Sequence, residues 1–291
     1  MTPTNSPSLT IVVLTFNEEG NLPACLESVK GLATPIFIVD SGSTDKTEAI
    51  ASSFGAQILR NPFQTHTSQW TWALSQIPPT DWALCLDADQ RLTPELVAEI
   101  LATLPKTGIG GDLDKVDGFY FNRRHIFRGK WVRWGGLYPK YLLKLFRPGK
   151  VSMDSRDLVD HHFQILTGTA RFRHDLIEEN VKEHDISFWM QKHIKYADLL
   201  AREEVRRKAD PAALPNLATA LRNPDARILW AKSIWTRMPR YVRPLLYYFY
   251  RYFLRLGFLD GKQGFVFHFM QALWFRILID IKYEEYEGGK R

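Results

Sequence analysis

Residues 9–19 of the 291-residue chain read LTIVVLTFNEE, a β-branched apolar run that ends in a polar loop. Two later segments have the same form: residues 35–45 read PIFIVDSGSTD, and residues 82–91 read WALCLDADQR. Short apolar runs of this kind are typical of strands that are buried in a parallel sheet. Segments with helical spacing lie between them. This order of elements predicts βαβ units and an α/β fold.

The two parts of the chain differ in charge. Residues 1–105 carry four basic and eleven acidic side chains, a net charge of −7, whereas the remainder carries a net charge of +13. Aromatic residues also crowd the second part. A basic, aromatic region of this kind favours contact with nucleic acid, anionic lipid or a phosphorylated ligand, and composition alone does not choose among them.

Composition excludes several classes of protein. Hydrophobic residues make up 45% of the chain and charged residues 24%, as in ordinary globular proteins, which excludes a disordered chain. Cys25 and Cys85 are the only cysteines, so a disulfide scaffold and a cysteine zinc site are excluded as well. The first residues lack a basic segment followed by an apolar one, and we expect no signal peptide.

Polar clusters follow three of the predicted strands. Residues 15–19 read TFNEE, residues 40–45 read DSGSTD, and residues 87–89 read DAD. In an open α/β sheet, ligands bind outside the carboxyl ends of the strands. Because the carboxyl ends of parallel strands share one edge of the sheet, we expect these three clusters to form one site.

The DAD cluster has the most specific chemistry. Asp87 and Asp89 occupy alternating positions after a buried strand, so both carboxylates can point to one side. Their mutual repulsion is costly unless a cation neutralises them, and oxygen ligands suit Mg²⁺ or Mn²⁺. The alternative is that Asp89 caps a turn and Asp87 is solvated.

With these motifs in place, residues 9–104 resemble a family-two glycosyltransferase domain of the GT-A fold. The motifs that carry the resemblance are IVVLTFNEEGNLPACLESV, FIVDSGSTDKTEAIASSFGA and ALCLDADQRLTPEL. Downstream, DGFYFNRRHIFRGKWVRWGGLYPKYLLKLFRPGK and the GFLDG sequence at 257–261 resemble the subfamily of lipopolysaccharide-core glucosyltransferases.

The resemblance implies an architecture and a set of donor contacts. It implies a Rossmann-like, mostly parallel sheet flanked by helices, with a C-terminal helical extension. The catalytic domain is expected at 1–208, with a nucleotide-binding half at 1–105 and an acceptor-binding half at 106–208, and the helical region at 209–291. Implied nucleotide-sugar contacts are Thr15, Asn17, Glu18, Asp40, Ser41, Gly42, Ser43, Asp45, Gln69 and Asp87.

Metal and catalytic roles follow from the same resemblance. Asp89 is expected to bind the metal on the diphosphate, together with Asp87, and His174 or Glu178 is a candidate further ligand. An inverting transferase needs a general base within hydrogen-bond reach of the acceptor hydroxyl. Relatives tend to have an acidic residue after the LFRxGK segment, where this chain has Asp157, Asp160 and His161, and these three are the candidates.

The acceptor side is expected in the basic aromatic stretch. Gly135 and Gly136 let the backbone approach a sugar closely, and Trp134 and Tyr138 offer rings for stacking. Arg147 is a candidate clamp for a phosphate. The alternative is a solvated hairpin with aromatic packing.

The C-terminal region combines arginines with aromatic residues. Its longest charge-free run, residues 263–275, is shorter than the roughly 20 residues that span a bilayer, so a transmembrane anchor is not expected. Arginines on one helix face and aromatics on another suit a helix in the headgroup region. The alternative is helices that pack on the domain or in a dimer.

The sequence thus predicts a metal-dependent, inverting glycosyltransferase with a nucleotide-sugar donor, a UDP-sugar, and a glycan or glycolipid acceptor. We expect it in the cytoplasm, at the cytoplasmic face of the inner membrane, without a nucleic-acid partner. The alternatives are a nucleotidyltransferase, although NEEGN lacks the basic loop residue expected of one, and a non-catalytic module that binds membrane or nucleic acid.

Overall fold

The computed structural model describes residues 7–153, 163–165, 168–209, 235 and 237–288. These residues form an α/β protein with a group of C-terminal helices, as predicted. The strands are β1 (Leu9–Thr15), β2 (Ile36–Asp40), β3 (Gln57–Arg60), β4 (Trp82–Asp87), β5 (Gln90–Leu92), β6 (Gly118–Phe127), β7 (Lys130–Trp131), β8 (Tyr141–Phe146) and β9 (Thr169–Glu178). The helices are α1 (Leu22–Val29), α2 (Thr47–Ser53), α3 (His66–Gln76), α4 (Pro94–Thr103), α5 (Ile186–Ala209), α6 (Val242–Phe249), α7 (Gly261–His268) and α8 (Phe275–Gly288).

The described strands form one sheet in the order β3-β2-β1-β4-β8-β6-β9-β5, with β7 paired to β6. The first four strands of this order are parallel, as the βαβ pattern predicts. Beyond β4 the sheet becomes mixed: β8 is antiparallel to both of its neighbours, and β9 is parallel to β6. The parallel part therefore comes from the acidic half of the chain, and the mixed part comes from the basic half except for β5.

The inner parallel strands β1, β2 and β4 are almost entirely apolar because helices cover both faces, whereas the edge strand β3 has exposed polar residues at both ends. Alternate residues of β1 divide between two cores: Ile11 and Val13 pack with α1 and α4, whereas Val12 packs with α3. Trp70 of α3 is fully buried in the second core. Successive side chains of a strand point to opposite faces of the sheet. A strand that is covered on both faces therefore buries both sets of side chains, and this favours apolar residues along its length.

The chain separates into two compact units. The sheet unit contains the described residues of 7–133 and 137–185, and the helical unit contains Trp134–Gly136 and the described residues from Ile186 onward. This corrects the predicted boundary at 208/209, because α5 packs with α8 through Ala197, Ala201, Phe275, Ile279 and Tyr283. The charged surface of α5 gave no sign of that partner in the sequence.

Strands β5, β7 and β9 were not predicted from the sequence. β5 and β7 have three and two residues, too short for a periodic signal. β9 reads TARFRHDLIE, and its charged residues hide the alternation of Phe172, Leu176 and their polar neighbours. Pairing with β6 and β5 determines this strand, rather than its own composition.

Helices α7 and α8 belong to one long helical stretch. From Gly257 to Gly288 the chain has 32 helical residues, including a π-helical turn at Phe269–Trp274, and this stretch is long and apolar enough to cross a bilayer. The length of this stretch therefore does not exclude a transmembrane helix. This corrects the expectation from the sequence, which excluded a transmembrane anchor because the charge-free run is short. The part from Phe275 onward packs on α5 through the contacts given above.

A buried ion pair stabilises the helical unit. The Arg243 guanidinium donates from Nε to Asp280 Oδ1 at 2.8 Å, and both side chains are almost completely buried. The Nη2 atom of Arg243 lies 2.9 Å from Glu204 Oε2. Removing one member of such a pair leaves an uncompensated buried charge.

We expect Arg243→Met to lower the free energy of unfolding by about 3–5 kcal/mol, because it strands the Asp280 carboxylate. The double variant Arg243→Met with Asp280→Asn should recover part of the loss. The control, Arg240→Met, breaks a partly exposed pair with Glu287 and should cost less than about 1 kcal/mol. Urea unfolding measures all three, and equal losses for Arg243→Met and Arg240→Met would contradict the interpretation.

Candidate active site

The register of the sheet brings the three polar clusters to one edge. Thr15 pairs with Asp40 across β1 and β2, and Leu14 pairs with Asp87 across β1 and β4. The loops that follow these strands therefore start at the same level. This is the arrangement that the order of elements predicted.

The Asp40 carboxylate builds the loop after β2. It is completely buried and accepts hydrogen bonds from Thr15 Oγ1 at 2.8 Å, Ser43 Oγ at 2.6 Å, Ser43 N at 2.7 Å and Gly42 N at 2.9 Å. These four donors occupy the lone pairs of the carboxylate. Asp40 therefore shapes the site from within, and its role as a contact of the nucleotide stays a prediction.

The loop after β1 is fastened to the loop after β2. Asn17, in the left-handed region at φ 53°, donates from N to Ser43 Oγ at 2.8 Å, and its Oδ1 accepts from Thr44 N at 2.8 Å. Glu19 N donates to Asp45 Oδ2 at 3.0 Å. The backbone of both loops is thus held in place before any ligand binds.

Lys182 also holds the loop after β1, a role that sequence reasoning missed. Its ammonium lies 2.6 Å from Glu18 Oε1 and donates to Asn17 O at 3.0 Å. Lys182 lies in the short helical turn Val181–His184 that follows β9. The acidic Glu18 is therefore already paired, and a cation lies within this edge of the sheet.

Gln69 organises the far side of the β2 loop. Its side chain is completely buried, and Nε2 donates to Ser41 Oγ at 3.2 Å and to Asn61 O at 3.0 Å. Asn61 Nδ2 donates in return to Gln69 Oε1 at 2.8 Å. Gln69 thus positions Ser41, one residue beyond Asp40.

The turn that carries Asp87 and Asp89 is braced from two sides. Asp87 N donates to Gln90 Oε1 at 3.1 Å, and Glu179 N, just after β9, donates to Asp89 O at 2.9 Å. The Asp87 carboxylate lies 2.9 Å from the ammonium of Lys144, a buried residue of β8. Lys144 is a further site residue that sequence reasoning missed.

Negative charge accumulates at this edge. Burial raises the pKa of the Cys25 thiol well above its usual range, and the charges of Asp89, Asp87 and Glu18 raise it further, while Lys144 opposes them. Three carboxylates therefore act on one buried position. An excess of carboxylate oxygen is the environment that a hard divalent cation requires.

The donor set fits Mg²⁺ or Mn²⁺ bound together with a phosphate ligand. In the part of the chain that the structure describes, no three His, Cys, Asp or Glu side chains form a ready metal cage. Mg²⁺ is commonly held by one or two carboxylates, with substrate phosphates and water completing its shell. Asp89 and Asp87 are the residues here that match this pattern.

His174 does not join the two aspartates, which corrects its expected place in the metal site. Its Nδ1 lies 2.9 Å from Glu99 Oε2 on α4, and its side chain is half-exposed. Glu178, near the end of β9, also has charged partners elsewhere than at the two aspartates. Although burial opposes its charge, the Arg123 guanidinium and His125 hold the pKa of Glu178 well below its usual range.

The candidates for the general base, Asp157, Asp160 and His161, lie outside the described residues. Arg147 is described and lies elsewhere than expected. Phe146 pairs with Ala83 near the start of β4, whereas Asp87 ends that strand, so Arg147 lies toward the opposite edge of the sheet. There it donates to Thr107 O at 2.7 Å, and its guanidinium lies over the Trp82 ring. This corrects its predicted role as a clamp for an acceptor phosphate.

The predicted acceptor stretch divides between the two units. Tyr138, in the sheet unit, donates to the buried Asp175 carboxylate at 3.2 Å and contacts Trp131 edge to face. Trp134–Gly136 belongs to the helical unit. The Trp134 ring is exposed, as a stacking surface requires.

The helical unit holds Trp134–Gly136 by its backbone. Trp134 N donates to Asp260 Oδ2 at 2.8 Å, Gly135 N donates to Arg255 O at 2.9 Å, and Arg251 Nε donates to Gly135 O at 2.8 Å. Asp260 belongs to the GFLDG sequence. We call these partners, together with His268, the cradle.

His268 closes the cradle. Its ring is completely buried, and a Cβ at Gly135 or Gly257 would overlap it, so both positions require glycine. Neither ring nitrogen has a hydrogen-bond partner within the described part of the chain. Burial lowers the pKa of His268 to about 3, and the nearby Arg251 guanidinium adds to the effect.

Comparison with known proteins agrees with this architecture. The profile of Glycosyl transferase family 2 matches residues 10–174, more than half of the chain, and the chain belongs to that family. A lipopolysaccharide core biosynthesis glycosyltransferase, LpsC of Rhizobium meliloti, is 31% identical over 154 residues, covering 50% of this chain and 53% of the relative. An uncharacterized glycosyltransferase of Rickettsia bellii is 40% identical over 88 residues, 30% of each chain. The chain thus spans about half or less of the length of these relatives.

Two solved structures show weaker similarity. The S. aureus protein TarS, residues 1–349, has a TM-score of 0.45 at 12% identity, covering 97% of this chain and 92% of that one. Glucosyl-3-phosphoglycerate synthase from Mycobacterium tuberculosis, in complex with Mn²⁺, uridine diphosphate and glucosyl-3-phosphoglycerate, has a TM-score of 0.33 at 22% identity. It covers 41% of this chain and 44% of that chain.

We expect Asp40→Asn to destabilise the protein by about 3 kcal/mol. The NH₂ group of the asparagine would face hydrogen-bond donors that now point at a carboxylate oxygen, in a buried position. The matched control is Asp81→Asn, since the exposed Asp81 carboxylate accepts hydrogen bonds from Ser8. This variant should lose less than about 1 kcal/mol. Urea unfolding of both variants measures the difference. Equal stability of the two variants would show that the Asp40 network does not hold the loop.

We expect His268 to make the protein less stable in acid. The unfolded chain takes up a proton near the ordinary pKa of 6.5, and the folded chain does so only near 3. Its contribution to stability is therefore lost as the pH falls from 6.5 toward 3, by up to about 1.4 kcal/mol per pH unit. His268→Leu should remove this part of the slope, whereas the exposed His184→Leu should not. Identical pH profiles for wild type and His268→Leu, measured by urea unfolding, would contradict the assignment.

Proposed function

We propose that the chain is a metal-dependent, inverting glycosyltransferase. It moves a sugar from a nucleotide-sugar, a UDP-sugar, to a hydroxyl of a glycolipid, lipopolysaccharide or polysaccharide-type acceptor. Membership in Glycosyl transferase family 2 supports the reaction class. The observation that carries the proposal is the acidic edge, where Asp87 and Asp89 meet two loops that are fastened together before a ligand binds.

The donor fits this edge through groups that remain available. Ser41 and Gly42 form the outer part of the β2 loop, whose shape Asp40 and Gln69 determine. We assign Asp89 to the metal and Asp87 to the nucleotide beside it. Lys144 and Lys182 add two ammonium groups at the same edge, where they balance the carboxylates and favour a diphosphate.

When bound, Mg²⁺ or Mn²⁺ supplies Lewis-acid stabilisation of the departing diphosphate. The chain supplies a general base, for which we propose Asp157, Asp160 or His161. The base takes the proton of the acceptor hydroxyl while the oxygen of that hydroxyl attacks the anomeric carbon of the donor sugar. The bond from that carbon to the diphosphate breaks on the opposite side, so the configuration inverts.

The acceptor side of the proposal rests on Trp134–Gly136 of the helical unit. The exposed Trp134 ring offers a face for a sugar, and the two glycines allow close approach of the backbone. We propose a lipid-linked glycan as the acceptor, reached by peripheral contact of the helical unit with the cytoplasmic face of the inner membrane.

A panel of nucleotide-sugars tests the donor assignment by thermal shift. We expect one UDP-sugar to stabilise the wild type in the presence of Mn²⁺, by about 2.7 kcal/mol at a hundredfold excess over Kd, and to have little effect on Asp89→Ala. Asp81→Ala, just before β4 and at the opposite end of that strand from Asp87, should respond as the wild type does. The proposal fails if no nucleotide-sugar stabilises the wild type, or if Asp89→Ala responds equally.

A product assay with nucleoside triphosphates, together with the thermal-shift panel, separates the alternatives. A nucleotidyltransferase should release diphosphate from a nucleoside triphosphate, which mass spectrometry of the products detects. A non-catalytic module should show neither metal-dependent nucleotide binding nor sensitivity to Asp89.

A further inference from the structure

Helix α6 and the turn that follows it carry their apolar residues on the outside. Positions 242, 245, 246, 249, 250, 253 and 254 are all exposed, with the i, i+3, i+4 spacing of one helix face. Leu245 is 54% exposed, Phe249 52% and Leu254 64%. On the opposite face, Arg243 and Arg251 are buried. A helix that packs on a core in water shows the reverse arrangement.

The exposed surface continues along the next two segments. Phe258 and Leu259 of the GFLDG sequence are exposed, as are Phe265 and Phe269 in the helix beyond it. Thirteen large apolar or aromatic side chains between residues 241 and 269 are each 40–64% exposed. We call this surface the apolar face. At about 150–200 Å² for each full side chain it presents roughly 1,000 Å², more than the 300–600 Å² of the largest patch on a typical monomer.

The segment that carries the apolar face is mostly basic, and the exposed Glu284 lies at its edge, where Tyr241 donates a hydrogen bond to it. Residues 237–276 contain seven arginines and lysines and a single acidic residue, Asp260. Asp260 is buried in the cradle, so it adds no exposed negative charge. Arg255 and Lys262 are exposed among the apolar side chains. A surface with an apolar centre that carries exposed positive charge complements an anionic lipid headgroup layer.

We infer that the apolar face inserts into the headgroup region of an anionic bilayer, with α6 and the start of α7 lying in the plane of the membrane. The inference deepens the proposed membrane-side acceptor, on which it rests, by naming the surface and the lipid chemistry. It also reverses the sequence-based expectation for the arginines: Arg243 and Arg251 hold the unit together from inside, and aromatic and leucine side chains make the contact.

Vesicle sedimentation of the full chain tests the inference. We expect the wild type to sediment with vesicles of phosphatidylethanolamine and phosphatidylglycerol, and much less with phosphatidylcholine alone. Leu254→Asp should weaken partitioning about tenfold or more, because it places a charge in the apolar centre. The matched control, Leu101→Asp on α4, changes a 47% exposed leucine of the sheet unit and should sediment like the wild type.

Three results would overturn the inference. Wild-type protein that stays in solution with both kinds of vesicle would show that the face does not bind lipid. A dimer in lipid-free buffer that Leu254→Asp dissociates would assign the face to a second copy of the chain. Membrane-bound protein that resists alkaline carbonate would show that Gly257–Gly288 spans the bilayer.

The thermal-shift response to a UDP-sugar with Mn²⁺ is measured on the same variants. Leu254→Asp should keep the wild-type response, because it lies in the helical unit and the donor edge lies in the sheet unit. Loss of vesicle binding with an intact donor response isolates the apolar face. Absence of any donor response in the wild type would instead count against the proposed function and leave the lipid result to stand on its own.

Discussion

The hydrogen bonds to one buried carboxylate determine the shape of the candidate site. Asp40 accepts from Thr15, Gly42 and Ser43, and so joins the end of β1 to the loop after β2. Asn17 reaches the same loop from the other direction. Because these bonds form within the chain, the backbone that faces a ligand is ordered without it. Preorganisation of this kind lowers the conformational cost of binding.

Carboxylates and lysines also meet at the edge of the sheet where the loops lie. The carboxylates of Glu18, Asp87 and Asp89 gather at one edge, and Lys144 and Lys182 arrive from β8 and from the turn after β9. Both lysines come from the basic half of the chain. The contrast between an acidic and a basic half, visible in the composition, is therefore partly cancelled within the sheet unit.

The sequence predicted best where local pattern and environment agree. Strands β1, β2 and β4 are covered on both faces, so their composition is apolar throughout and their ends are marked by polar loops. Sequence reasoning placed Asp87 and Asp89 at the shared edge for the same reason. Lys144 was missed although a lysine between leucines in a strand is a signal, since buried lysines are almost always paired.

Other features depend on contacts that are distant along the chain. The assignment of α5 to the helical unit, the strand β9 and the pairing of His174 with Glu99 all follow from tertiary partners. Arg147 was misplaced because an antiparallel β8 carries its end toward the start of β4, a direction that βαβ reasoning does not predict. The exposed stripe of α6 has the same period as a buried one, so periodicity alone does not distinguish them.

The cradle has a consequence for the order in which the protein is made. Trp134 and Gly135 leave the ribosome long before their partners, since 126 residues separate Trp134 from Asp260 and 116 separate Gly135 from Arg251. The donor edge is complete once β9 and the turn after it have been synthesised, whereas Trp134–Gly136 waits for the chain beyond residue 250. A nascent chain therefore acquires the edge that we propose for the donor well before the segment that we assign to the acceptor takes its final form.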